Sequence, residues 1–275
     1  MFEQIAKLFS YDFILRSLLV GGLVALCAAL LGVSLVLKRY SMIGDGLSHV
    51  GFGTLSIAFA FQLSPLAVSI PVVILAAFLL LRLSENSKIK GDAAIAIISS
   101  SALAIGVIIT SQTTGINADV YGYMFGSVLA MGRNDVVLSI CMSVLVLGLY
   151  ALFYNKIFAV TFDENFARAT GTQAGLYNMV IALLTAVTIV VGMRMMGSLL
   201  ISSLIIFPAL TAMRVCRSFS KVVICAAVLA VCCFFFGILF SFFFSIPAGA
   251  SVVVVNLMVF LLFSLVGKIL EGKRA

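Results

Sequence analysis

The chain alternates long apolar runs with short polar interruptions, and that pattern decides its class. Apolar stretches occupy about 13–37, 42–61, 64–83, 92–111, 134–154, 175–193, 197–213, 221–241 and 248–267. Each is close to the ~20 residues an α-helix needs to cross a hydrocarbon core of about 30 Å. Long alternating strands are absent, so helices are expected rather than a barrel. The pattern predicts an all-α, polytopic transmembrane helical bundle of about eight to nine spans. A shorter segment at 120–131 is a candidate re-entrant piece, and Pro208 and the glycine-rich tract 44–53 are candidate helix breaks. Broken helices at membrane depth usually line a cavity.

Composition sharpens this reading. Hydrophobic residues make up 63% and charged residues 10%, against roughly 45–50% and about 25% in ordinary globular chains. With a mean hydropathy of +1.27, most of the chain must be solvated by lipid. No internal repeat or low-complexity linker divides it, so residues 1–275 read as a single transmembrane domain. The N-terminal dozen residues carry mixed charge and the first apolar run is too long for a signal-peptide h-region, so that run is expected to stay as a helix.

The net charge of +7 does not point to nucleic acid, because the basic residues lie singly or in small groups between apolar runs. With Lys38 and Arg39 placed in the cytoplasm, alternation also puts Arg82, Lys88, Lys90, Lys156, Arg168, Arg214, Arg217, Lys221, Lys268, Lys273 and Arg274 there. Lys7, Arg16, Arg133 and Arg194 fall outside. Thirteen of the 17 basic residues therefore sit inside, the bias that positive-inside sorting produces. The expected orientation is N-terminus outside and C-terminus cytoplasmic.

Chemistry concentrates at few positions. Asp45 heads an apolar run, and the only histidine, His49, comes four residues later. In a helix these positions share a face about 6 Å apart along the axis. A carboxylate and an imidazole so placed can ligate one divalent cation or bond to each other, and ionisable groups inside a membrane are costly enough to suggest function. The plainer alternative is that Asp45 caps the helix and His49 packs against a neighbour. On the expected external side, Asp119 offers oxygen to an entering cation or is a solvated loop carboxylate, with Tyr121 and Tyr123 as interfacial belt residues.

The cytoplasmic loop 162–171 reads as a short helix with Asp163 as N-cap and Gly171 as C-terminal stop. Glu164, Phe166 and Arg168 within it suit a soluble partner or are an ordinary solvated connector. The loop around Arg214, Arg217 and Lys221 is a second such surface. Cys27, Cys141, Cys216, Cys225, Cys232 and Cys233 lie in or beside apolar runs without paired CxxC spacing, and read as small packing residues. No phosphate loop, HExxH or GxSxG motif occurs. The chain is thus not expected to be an enzyme, and any ATP hydrolysis belongs to another subunit.

Several stretches together resemble the membrane permease subunit of binding-protein-dependent ABC importers for zinc, manganese or iron(II). They are the basic pair Lys38 and Arg39 with Gly44-Asp45 and Ser48-His49, then Tyr123-Met124-Phe125-Gly126, the loop 162–171, the run 197–209, and Pro247-Ala248-Gly249-Ala250-Ser251. They cover nearly the whole chain in the family's order. The resemblance implies a type II importer-like permease in the bacterial plasma (inner) membrane, homodimeric around the translocation path. Its implied partners are a cytoplasmic ABC ATPase subunit and an external or periplasmic metal-binding protein. It implies that Asp45 and His49 lie on the metal path and that no cofactor is held permanently. Zinc is the leading cargo, since the Tyr-x-Phe-Gly stretch looks more like the zinc branch, with manganese or iron(II) as alternatives. The competing reading is an ion-gradient-driven secondary carrier with an Asp45–His49 relay and no ATPase; an intramembrane enzyme is a third.

Overall fold

A computed structural model describes residues 12–86, 91–113 and 133–272. Regular structure among the described residues is entirely helical: α1 (Asp12–Leu37), α2 (Ile43–Ala60), α3 (Pro65–Asn86), α4 (Gly91–Gln112), α5 (Arg133–Leu152), α6 (Tyr154–Phe162), α7 (Glu164–Ala169), α8 (Ala174–Met196), α9 (Ser198–Val215), α10 (Phe219–Phe244) and α11 (Ala248–Gly272). The expected all-α bundle is the fold. The re-entrant candidate at 120–131 lies outside the described residues.

Seven helices, α1, α3, α4 and α8 to α11, are long and apolar enough to cross a membrane. An eighth span arises if α5 and α6, bent by 69° at their junction, form one crossing. The remaining expected span, 42–61, is present as α2 but is less apolar than these seven. The reason is its position. Most of α2 is enclosed by protein, with residues from Ile43 to Ala58 buried on several sides, so it needs little lipid-compatible surface.

Burial separates inner from outer helices. In α1 and α8, 67% and 78% of the most apolar window is buried, whereas in α4 and α11 the figure is 22%. The core gathers Leu31, Leu47, Leu184, Ile189, Leu200, Ile201 and Phe234. Large side chains such as Phe236, Leu261 and Leu265 remain exposed on α10 and α11, as lipid-facing surfaces require.

Two expected breaks do not occur. The tract 44–53 runs unbroken through α2, because its glycines serve close packing. A Cβ on Gly53 would lie 2.6 Å from the Ala102 carbonyl oxygen of α4, and such small-residue contacts let two backbones approach. Pro208 is buried inside a continuous α9. A proline in a membrane helix forfeits one hydrogen bond that neighbouring groups can re-satisfy. The turn falls instead at Gly197, with φ 86° and ψ 159°, a region essentially reserved for glycine.

Neighbouring contacts fix the sense of each helix. Val24 lies by Gly192 and Lys38 by Asn178, so α1 and α8 are antiparallel. Gly21 lies by Met196, the last residue before the Gly197 turn into α9, and Gly32 by Ile205 of α9, so α1 and α9 are parallel. The C-terminal part of α9 meets that of α11, where Arg214 abuts Gly267. One end of the bundle thus collects Lys38, Arg168, Arg214, Arg217, Lys221 and Lys268, while Arg16 and Arg194 belong to the opposite ends of α1 and α8.

Candidate functional site

The chemistry of α2 starts from its neighbours. Gly44 packs on Ser202 and Ile205 of α9, and Gly46 packs on Ile95 of α4. Asp45 lies between these two contacts in the chain, and His49 stands one turn on along the same strip. His49 Nε2 lies 3.5 Å from Asp45 Oδ2, with the two side chains 24% and 46% exposed. The capping alternative is not adopted: Met42 is the N-cap and makes no side-chain capping bond, while Asp45 faces His49.

The depth of the pair is set by the packing. Gly44 and Gly32 both touch Ile205, which is nine residues before Arg214 on α9. At about 1.5 Å rise per residue, that is roughly 13 Å inside the basic end of the bundle. The turn 38–42 therefore re-enters the protein before α2 begins, and the pair sits within the bundle rather than at its rim.

Two atoms 3.5 Å apart suit joint ligation. A cation about 2.1 Å from each would see them at an angle of about 110°, close to tetrahedral. Two donors do not complete a coordination shell. Among the described residues no group of three or more His, Cys, Asp or Glu side chains converges. Further ligands must come from water, a second chain or the cargo's own shell. Ser48 is not one of them, since its hydroxyl donates to the Gly44 carbonyl at 2.7 Å and is fully buried. Asp119 lies outside the described residues.

At the basic end, α6 and α7 form a compact unit. Asp163 has extended backbone geometry (φ −148°, ψ 99°) and accepts the Phe166 N–H at 2.9 Å, so the expected N-cap is present. The helix ends before Gly171, whose φ of 83° is left-handed, as expected of the stop. Glu164 Oε1 accepts from Arg168 at 2.5 Å, and Phe166 is 66% exposed. Burial alone would push the Glu164 carboxyl up, but hydrogen bonds from Asn178 and Arg168, with the charges of Lys38 and Arg168, hold it below the ordinary glutamate value.

Aromatic contacts bring the second surface alongside. Phe158 and Tyr154 of α6 pack on Phe219 at 5.0 and 5.8 Å between ring centroids. Tyr154 and Ser220 join their hydroxyls at 2.9 Å. The turn carrying Arg217 thus flanks α6. Arg214 is engaged otherwise, with its guanidinium 5.8 Å from the Phe260 ring centre, a cation–π arrangement.

Sequence reasoning missed Asn178. Its side chain accepts from Lys38 Nζ and donates to Glu164 Oε2 at 3.1 Å. The one signal for it in the sequence is a lone carboxamide at the start of an apolar span. The six cysteines carry free thiols, and Cys27 donates to the Ser143 carbonyl at 3.6 Å between α1 and α5, in keeping with packing.

An apolar helical bundle with an ionisable pair inside it has the build of a membrane transport protein. The match to known proteins is specific: residues 10–267 match the ABC 3 transport family, and the chain belongs to it. It is 27% identical over 259 residues to the manganese import system permease protein ScaB of Streptococcus gordonii, covering 94% of this chain and 93% of that one. It is also 27% identical over 252 residues to the high-affinity zinc uptake system membrane protein ZnuB of Haemophilus influenzae, covering 92% and 97%. The solved structure of PsaBC from Streptococcus pneumoniae in complex with Fab aligns with a TM-score of 0.85 at 27% identity, over 96% of this chain and 95% of that chain.

Proposed function

We propose that this chain forms the membrane channel of an ATP-driven importer of a divalent transition metal, and that Asp45 and His49 ligate the cation in transit. The observation that carries this reading is the 3.5 Å Asp45–His49 pair on a partly exposed strip of α2 inside the bundle. Family membership supports the ATP-driven class, and relatives named for manganese import and for zinc uptake support the cargo class. Zinc is the leading cargo within it, because an imidazole and a carboxylate bind Zn(II) above Fe(II) and Mn(II) in raw affinity.

In this reading a second copy of the chain faces the strip and doubles the donors to two imidazoles and two carboxylates. The basic end is cytoplasmic, in accord with positive-inside sorting, and puts the C-terminus inside and the start of α1 outside. A separate ATPase subunit docks on α7 through the surface of Asp163, Glu164, Phe166 and Arg168, with Arg214 and Arg217 alongside. An external binding protein delivers the metal at the opposite end. Nucleotide shifts the permease between two states only by binding them differently.

The test is uptake by the reconstituted permease–ATPase complex. The reading requires ATP and no ion gradient; uptake driven by a proton or sodium gradient without ATP would overturn it.

A further inference from the structure

The basic end holds a cross-link that docking does not explain. Lys38, just past the end of α1, is only 11% exposed, and its Nζ lies 3.5 Å from Glu164 Oε2 of α7. It also donates to Asn178 Oδ1 of α8, and Asn178 returns a bond to the same Glu164 oxygen. Lys38 thus joins groups 126 and 140 residues away in the chain around one mostly buried ammonium. Burying a charge is costly unless it is paired and hydrogen-bonded, and Lys38 meets that condition through α7 and α8.

The segment just after Lys38 is stiff. Arg39 has φ 63°, with Arg39 N–H bonded to the Val36 carbonyl at 3.1 Å and Tyr40 N–H to the Leu35 carbonyl at 2.8 Å. This is a Schellman-type stop with Arg39 in the left-handed position. Ile43 N–H bonds back to Tyr40 at 3.0 Å and Gly46 N–H to Met42 at 3.0 Å. The turn between Lys38 and Asp45 is thus tied by backbone bonds to the end of α1 at Lys38, Arg39 and Tyr40 and to the start of α2 at Ile43, so a displacement at Lys38 is passed toward α2.

Resting on the function proposed above, we infer that Lys38 is a positioning residue that ties the ATPase-docking helix α7, through Glu164, to the turn from which α2 and its Asp45–His49 pair are hung. Displacement of α7 during the ATPase cycle is transmitted through this ammonium to α2. Lys38 therefore sets how much metal moves per ATP hydrolysed. Docking does not depend on it, because Glu164 keeps Arg168 and Asn178 and α7 keeps its Asp163 cap.

The experiment measures zinc and manganese uptake and ATP hydrolysis together, in proteoliposomes holding the whole complex with its binding protein. Lys38→Met and Asn178→Leu, which removes the side chain bonded to both Lys38 and Glu164, are expected to co-purify the ATPase at wild-type ratio while the ions moved per ATP fall, at least fivefold in Lys38→Met. Lys38→Arg, which keeps the charge, is expected to restore most of that ratio. A wild-type ratio in Lys38→Met, or equal loss in Lys38→Met and Lys38→Arg, overturns the inference. If Lys38→Met does not assemble, Asn178→Leu decides alone, and a wild-type ratio in it overturns the inference. A wild-type complex that takes up neither ion with ATP overturns the function itself and this inference with it, whereas normal wild-type uptake with an unchanged variant ratio overturns the inference only.

Discussion

Asp45 Oδ2 and His49 Nε2 stand 3.5 Å apart on successive turns of α2, beside its contacts with α9 at Gly44 and with α4 at Gly46. Neither side chain fills the core. Partly exposed ion pairs contribute about 0–1 kcal/mol, so Asp45→Ala and His49→Ala are expected to insert normally and unfold within about 1 kcal/mol of wild type. Thermal unfolding in detergent checks this. A large destabilisation would make the pair structural.

Ligand linkage gives the same pair a positive signature. A cation that binds only the folded protein stabilises it by about 2.7 kcal/mol at a hundredfold excess over Kd. Zinc added to the purified permease is expected to raise its melting temperature, and His49→Ala to abolish the rise. An equal shift in the variant would place the binding elsewhere.

The α2–α4 contact gives a direct test of the packing. A Cβ at Gly53 would meet the Ala102 carbonyl oxygen at 2.6 Å, a backbone atom that cannot rotate away. Gly53→Ala is therefore expected to cost about 1–3 kcal/mol, the usual range for overpacking. Chemical unfolding in mixed micelles measures it, and a neutral effect would mean that α2 and α4 leave room for a methyl group.

Much of this is legible from the residues. Run length predicts the spans, Asp163 and Gly171 mark the ends of α7, and the i, i+4 spacing of Asp45 and His49 predicts a shared face. Other features are not, for physical reasons. The bend after Leu152 falls in Tyr150-Ala151-Leu152-Phe153-Tyr154, where no glycine or proline announces it. Pro208 reads as a breaker because local propensity cannot register how neighbouring helices support a buried proline. The depth of α2 and the meeting of Lys38, Asn178 and Glu164 arise only when segments more than a hundred residues apart are packed together.

Glu164 makes one pH dependence predictable. Its carboxyl is held below the ordinary value of 4.5, so its contribution is complete above that value and is lost as pH falls through the lower folded value. The tie between α7, α1 and α8 is expected to hold at pH 7 and to loosen below about pH 4.5. Hydrogen exchange at the α7 amides, corrected for intrinsic rates, should rise on acidification in wild type and be raised already at pH 7 in Glu164→Gln. Identical profiles would contradict the assignment.

The Asp163 cap gives the proposed docking helix a test of its own. Losing such a cap costs about 0.5–2 kcal/mol of helix stability, which in a six-residue helix frays most of it. Asp163→Ala is expected to weaken capture of the ATPase several-fold without altering membrane insertion, as read by co-purification. Unchanged capture would remove α7 as the docking element.

Passage of a metal cation between Asp45 and His49 under ATP is tested most directly by uptake of radioactive zinc. The measurement uses the reconstituted complex with and without ATP, with manganese in parallel, and compares wild type with His49→Ala. ATP-dependent uptake by wild type is expected, with at least a tenfold loss in His49→Ala while the ATPase stays bound. Uptake by His49→Ala at the wild-type rate would contradict a metal path through this pair.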